Sequence, residues 1–460
     1  MIKYEKRPEP TKDFSGQPVW LTDETMKQRR EKVLTQMAEH NYDVLCIYGD
    51  VDHGFNLEYL VGFYTRFEEA MLVLHKNGEA YLLLGNENIS RGKLARIENT
   101  PIHCSYFSLP YQPMYQHNLV ENFKEANLKP NMNVGIVGFK YFNDTSEDAK
   151  YLFDIPNYVY EAIVEINEDK AKVTNAIDLF IGEHGVRRTN NANEIAHYEV
   201  GASLSGDSIL DALNTVKEGA TEYEIGDKLL RYGQNTSIVT IAASGERYRF
   251  GNMFPTNKEV KLNDPMSITV GYRGGASSRA GIAAYREEDL PETIHDYVSD
   301  VAMPYFGIYA AWLENLRVGM KGHEMYDMVE QNYSKEKHYW YLNPGHLTAN
   351  EEWLASMMYP NSQEQVSSGN IFQVDIIPFV PGYPGASAES TICIADEALR
   401  MEIKELYPEL YARFEKRQKY LREELGINIS DDILPMASTV GYMRPLMLDH
   451  DRCLVKVSDK

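Results

Sequence analysis

The segment Asn370–Asp396 reads NIFQVDIIPFVPGYPGASAESTICIAD and sets Asp375 and Glu389 fourteen residues apart. Apolar residues alternate around each acid, Phe372 and Val374 before the first and Ile392 and Ile394 after the second. That period of two predicts half-buried strands, here the paired strands of one hairpin. A carboxylate inside such a strand is costly unless it is paired, protonated or held by a metal. Two of them on facing strands imply a shared function.

The 460 residues exceed a comfortable single core, so two domains are expected, and an apolar fraction of 43% is enough to build them. No apolar run approaches the roughly 18 residues that span a bilayer. The amino-terminal MIKYEKRPEPTKDF has no hydrophobic signal-peptide core. The expectation is a soluble, cytoplasmic protein. Cys46, Cys104, Cys393 and Cys453 are scattered, in neither disulfide-framework nor zinc-pair spacing, which predicts reduced thiols. A net charge of −22 repels phosphate backbones and anionic lipid heads, and no basic patch offsets it. Neither nucleic acid nor a membrane is an expected partner.

Residues 25–40 carry Met26, Val33, Met37 and Ala38 near helical spacing, which predicts an amphipathic helix. The short apolar runs VLCIYG, AMLVLH, EAYLLLG and NVGIVGF then alternate with helical or turn-rich text, the pattern of an α/β domain with a buried sheet. That rhythm ends in the polar passage NAIDLFIGEHGVRRTN, which places a domain boundary between 1–185 and 186–460.

The second half opens with helical text, NEIAHYEVGASLSGDSILDALNTV, followed by the turn KEGATEYEIGDKLL. About a hundred residues on, LRVGMKGHEMYDMVEQ repeats the arrangement, with Gly219 and Gly319 each closing one helix before an acid-rich start to the next. The repeat predicts an internally duplicated domain. Between the copies, MSITVGYRGGASSRAGIAAY reads as strand, glycine turn and strand. Its glycines are no phosphate loop, because no Lys-Ser/Thr follows. Near the end, YPELYARFEKRQKYLREELG reads as a charged, solvated helix with acid–base pairs such as Glu415 with Lys419.

These pieces in this order resemble the family of methionine aminopeptidase, prolidase, aminopeptidase P and creatinase. NLEYLVGF at 56–63 is similar to a signature of the creatinase-type amino-terminal domain, and NEIAHYEVGASLSGDS resembles the helix that opens the catalytic domain. The resemblance implies a creatinase-type α/β domain followed by a duplicated "pita-bread" α/β domain. It also implies a homodimer. Metallopeptidases of the family bind two ions through Asp, Asp, His, Glu and Glu. Laid on this sequence, the two aspartates fall on Thr269 and Ala280, the histidine on His346, and the glutamates on Asp375 and Glu389. A second family histidine falls on Trp353, and that of an HxxP segment falls on Asn252. Two ions at roughly 3.5–4 Å need bridging carboxylates, so no dinuclear centre is expected.

The resemblance therefore implies a hydrolase acting on a C–N bond (amide, amidine or Xaa-Pro-like) of a small molecule or short peptide. His346 and Glu389 would hold and polarise the substrate, Asp375 would orient one of them, and no cofactor is required. A first alternative is a peptidase using one Mn, Fe or Zn ion on His346, Asp375 and Glu389. A second is a non-catalytic module that binds an amine or peptide amino terminus. Arg279 either enters the vacated position or lies at the surface. Arg247, Tyr248, Asn252 and Trp353 are the further candidates for substrate binding.

Overall fold

In the computed structural model, residues 1–112, 118–143, 145–249 and 253–457 are described, 248 and 249 by backbone alone. The chain forms two units, Leu21–Arg188 and Met1–Trp20 with Thr189–Lys460. Among the described residues, no helix is long and apolar enough to cross a membrane.

Leu21–Arg188 is built on a six-stranded mixed sheet. In spatial order its strands are Thr100–His103, Ala80–Leu84, Ala70–His75, Val44–Gly49, Val134–Val137 and Val173–Asn175. The four apolar runs supply its central strands, and Val44–Gly49, Ala70–His75 and Val134–Val137 are buried at every position. Helix Asp23–Glu39 starts where the Thr22 side chain accepts a hydrogen bond from the Thr25 amide, and it buries Met26, Val33 and Met37. The NLEYLVGF stretch forms helix Phe55–Val61, closed by Gly62 at φ 76°. Its Asn56 and Tyr59 face inward: Asn56 donates to the Gly138 carbonyl and accepts from Arg187, and Tyr59 donates to the Val186 carbonyl.

In the other unit, strand Ile2–Lys6 pairs antiparallel with Arg452–Lys456, so the amino-terminal segment packs with the residues after 188. Helix Ala192–Thr215 begins at a capping box formed by Asn191 and Glu194. It packs on the hairpin Pro265–Tyr272/Gly275–Ile282. A side chain at Gly201 would overlap the Arg273 carbonyl, so that position needs glycine for the helix to lie this close.

The internal duplication is visible bond by bond. After helix Ala192–Thr215, the Gly219 amide donates to the Val260 carbonyl and the Val260 amide to that of Ala220. After helix Met303–Asn315, Gly319 donates to Val366 and Val366 to Met320 in the same pattern. Gly219 and Gly319 lie at φ 79° and 82°, which explains glycine at both sites. In each copy a glutamate, Glu224 or Glu324, closes a capping box on the next helix.

The charged carboxy-terminal helix, Pro408–Glu423, differs from its expected solvated character. It buries Leu410, Phe414 and Leu421, and with them Arg417, which pairs with Asp13 and Glu199. Glu415 pairs with Lys404, and Lys419 with Glu423. The apolar stripe running through the charged text decides the packing.

Candidate functional site

Asp375 and Glu389 do face each other. Strands Ile371–Gln373 and Thr391–Ile394 pair antiparallel with Phe372 opposite Ile392 and Gln373 opposite Thr391. The Val374 amide donates to the Ser390 carbonyl, and the same register carried one residue further sets Asp375 opposite Glu389. Both strands are buried at every position, where one exposed face was expected. Trp312, edge-on to Phe372 with ring centroids 5.9 Å apart, helps to cover them.

A third strand, His346–Leu347, flanks the first, with His346 opposite Gln373. Directly opposed residues share a face, as do residues two apart, so His346 lies on the side of Asp375 and Glu389. On the outer edge, the Ser278 amide donates to the Glu389 carbonyl and Ala280 pairs with Ser387. Ser278, Ala280 and Thr269, the last opposite Ser278, therefore lie on this face too. Where the resemblance would place bridging aspartates, the Thr269 and Ser278 hydroxyls bond each other at 2.6 Å and Ala280 offers a methyl group.

The residue the sequence did not single out is Glu352. The turn after His346 is tight: the Leu347 amide donates to Ala355 and the Leu354 amide returns to Leu347. This folds Glu352 and Trp353 back over the imidazole. Glu352 Oε1 lies 2.9 Å from His346 Nε2, and the Trp353 ring stacks on the imidazole with centroids 4.1 Å apart. His346, Glu352 and Glu389 each offer a ligand atom within 4.8 Å of the others. Asp375 Oδ2 is 4.0 Å from Nε2, just outside that group. The acid pair Glu351-Glu352 beside a tryptophan was visible, but only the turn shows that it returns to the histidine.

His346 is fully buried. Its Nδ1 lies 3.1 Å from the Leu347 carbonyl, the arrangement of an Nδ1–H donor, while Nε2 faces the Glu352 carboxylate at ion-pair distance. Burial works against the imidazolium, but the negative charges of Glu352 and Asp375 outweigh it, and the His346 pKa lies above its ordinary value. Burial, then the charge on Asp375 and Glu352, holds the Glu389 carboxyl well above the usual range, and a hydrogen bond with Glu352 adds to the effect. Asp375 is pushed up to about 6, again first by burial. Among the described residues, no lysine or arginine nitrogen lies within 4.0 Å of these three carboxylates.

Arg279 is 1% exposed and so lies neither at the surface nor in the vacated position. It stands on the opposite face of its strand, and its guanidinium donates to the carbonyls of Ser278, Glu389, Thr439 and Tyr442 and to the Ser390 hydroxyl. Arg247 is bound to Glu222, a fully buried carboxylate that also accepts from Ser244 and Thr256. Tyr248 lies in the turn Gly245–Arg249 and Asn252 falls outside the described residues. Of the proposed site residues, the structure brings together His346, Asp375, Glu389 and Trp353.

No family model matches the chain, and no curated protein matches its sequence. Solved structures do. Xaa-Pro dipeptidase from Bacillus anthracis superposes with a TM-score of 0.60 at 15% identity, over 81% of this chain and 96% of its own. Prolidase from Pyrococcus horikoshii gives 0.61 at 15%, over 80% and 95%. The chain has the pita-bread fold. A variant of aminopeptidase P from Escherichia coli shares this pita-bread fold at 0.58 and 14% identity, over 82% and 93%. The likeness spans most of the chain, and at these identities it concerns architecture. In this pita-bread chain the acids stand beside His346 on one face, while the hairpin Pro265–Tyr272/Gly275–Ile282 presents hydroxyl and methyl groups on that face.

Proposed function

We propose that the chain is a hydrolase of a C–N bond in a small, peptide-like substrate. Its centre is a single divalent ion of Mn, Fe or Zn held by His346, Glu352 and Glu389, with Asp375 beside them. The observation that carries this reading is the buried Nε2 of His346, whose ligand atom lies within 4.8 Å of carboxylate oxygens from Glu352 and Glu389. One imidazole and two or three carboxylates are a donor set suited to such an ion. Thr269 and Ala280 offer no bridge for a second ion. The named likenesses to prolidase and aminopeptidase P support peptide-like substrates.

A bound ion would polarise the scissile carbonyl and acidify a water. The protein groups do the rest. The Leu347 carbonyl fixes the tautomer that leaves Nε2 bare, and Trp353 holds the ring and shields it from bulk water. Asp375, outside the tight group, is the carboxylate free to carry a proton from the attacking water to the leaving nitrogen. Arg279 and Ser278 hold the Glu389 backbone from the hairpin edge.

A second reading is favoured by the nearness of Glu352 to a buried Glu389 whose carboxyl is held well above the usual range, so that it keeps a proton. Such a pair could act as acid and base on the C–N bond without an ion. Elemental analysis of protein purified without chelators separates the two. Stoichiometric transition metal with turnover supports the first; turnover in its absence supports the second. Glu389→Ala should abolish turnover in either, and unchanged activity would remove both. Amine binding with no product would identify a binding module instead.

A further inference from the structure

In the unit Leu21–Arg188 the strand order reverses at Val44–Gly49. From it the chain runs to Ala70–His75, Ala80–Leu84 and Thr100–His103 on one side, and later to the parallel Val134–Val137 and Val173–Asn175 on the other. Open α/β sheets bind ligands outside the carboxyl ends of the strands at such a reversal. At that end Tyr48 pairs with Met71 and Gly49 with Ala70, and the register carried one residue further sets Asp50 opposite Glu69. Opposed residues share a face, as do residues two apart, so Tyr48, Asp50 and Glu69 stand together. Tyr48 is 4% exposed, its ring lies edge-on to Phe107 with centroids 6.4 Å apart, and its hydroxyl has no hydrogen-bond partner among the described residues. Burial first, and the Glu69 charge second, raise the phenols of Tyr48 and Tyr158, so both hydroxyls lie in the field of that carboxylate. Tyr158, in the first turn of helix Asn157–Asn167, stacks on Tyr106 with centroids 6.0 Å apart, and both rings are partly exposed.

We infer that this crevice of Tyr48, Glu69, Tyr106 and Tyr158 binds an organic ammonium ion, a protonated alkylamine either free or at the end of a lysine side chain. It is a second site and shares no residue with the His346 group. Asp50 is turned to its own chain, where it accepts the amides of Asp52 and His53 and meets the His53 ring. Glu69 is left half-buried, and among the described residues no lysine, arginine or histidine nitrogen lies within 4.0 Å of its carboxylate. A carboxylate so placed favours a cation, and tyrosine faces beside it favour an organic one. A metal ion lacks its donors here: among the described residues, Glu69 belongs to no group of three His, Cys, Asp or Glu ligand atoms within 4.8 Å of one another. The unbonded Tyr48 hydroxyl supplies the acceptor for an ammonium N–H.

The test is calorimetric titration of the full chain with n-propylammonium chloride, at an ionic strength matched with sodium chloride. Saturable binding should weaken at least about tenfold in Glu69→Gln, and about threefold to fivefold in Tyr48→Phe, which removes only the hydroxyl. Tyr158→Leu, at a partly exposed position, should weaken it about twofold to fivefold. The two tyrosine variants carry the test should Glu69→Gln not fold. Tetramethylammonium has no N–H for Tyr48, so its affinity should be the same for the parent and Tyr48→Phe. Nα-acetyl-lysine methylamide separates the two sources: tighter binding than propylammonium assigns the crevice to a lysine of a partner, and equal or weaker binding assigns it to a free amine. No saturable binding of propylammonium, or an affinity unchanged in Glu69→Gln or in both tyrosine variants, overturns the assignment.

Discussion

His346 Nε2 and Glu352 Oε1 are 2.9 Å apart, and Glu389 offers a third ligand atom within 4.8 Å of both residues'. A protonated imidazole can pair with only one carboxylate at Nε2, and an unmet buried acceptor costs about 1–3 kcal/mol. A cation between His346, Glu352 and Glu389 would satisfy all three.

His346→Ala should therefore lose stoichiometric metal, and Glu352→Gln should weaken Mn binding at least about tenfold, or about 1.4 kcal/mol. Competition with a chromophoric chelator measures both. A Glu352→Gln variant that holds Mn as tightly as the parent would exclude Glu352 from the site.

Metal-free protein should show a pH signature at Asp375, whose carboxyl is pushed up to about 6 by burial. A carboxyl with a raised pKa keeps its proton more tightly folded than unfolded. Its contribution is full below the ordinary value of 3.8 and is lost as pH rises through about 6. Asp375→Asn mimics the protonated form, so across that window the parent's Tm should fall relative to the variant's. Melting curves in chelator that stay parallel from pH 4 to pH 7 would contradict this.

Arg279→Met should destabilise the fold by about 3 kcal/mol or more, because it strands several buried carbonyls at once. Urea unfolding measures the loss, and a change below about 1 kcal/mol would show that the clamp on Glu389 is dispensable.

Arg417→Ala should cost about 3–5 kcal/mol, since it leaves Asp13 and Glu199 as buried charges short of a partner. The double variant Arg417→Ala/Asp13→Ala should recover part of that loss in chemical denaturation. An additive double mutant would mean that the pair does not couple.

Much of the architecture was legible because it rests on local rules. The four apolar runs had to be buried strands, and glycines at 219 and 319 marked two positions where the backbone turns left-handed. The hairpin of Asp375 and Glu389 followed from a period of two. What remained hidden depended on contacts distant in sequence or on turns. The edge strands Thr100–His103 and Val173–Asn175 carry mixed text, since an edge needs less apolar surface. Arg279 read as either a guanidinium in the vacated position or a surface residue, but strand alternation sends it to the opposite, buried face, where carbonyls of distant segments receive it. Glu352 reaches His346 only because the chain reverses between Leu347 and Ala355, a turn with no glycine or proline to announce it.

The pairing of Ile2–Lys6 with Arg452–Lys456 has a consequence for biosynthesis. Strand Ile2–Lys6 has its partner nearly 450 residues downstream, so it must wait through the synthesis of both units before it can dock. Leu21–Arg188 carries its own sheet and can fold during translation, while His346, Asp375 and Glu389 belong to a unit that is completed only once Arg452–Lys456 has been made. A fusion partner that occludes the leading strand would therefore damage the late-forming half and spare the early one.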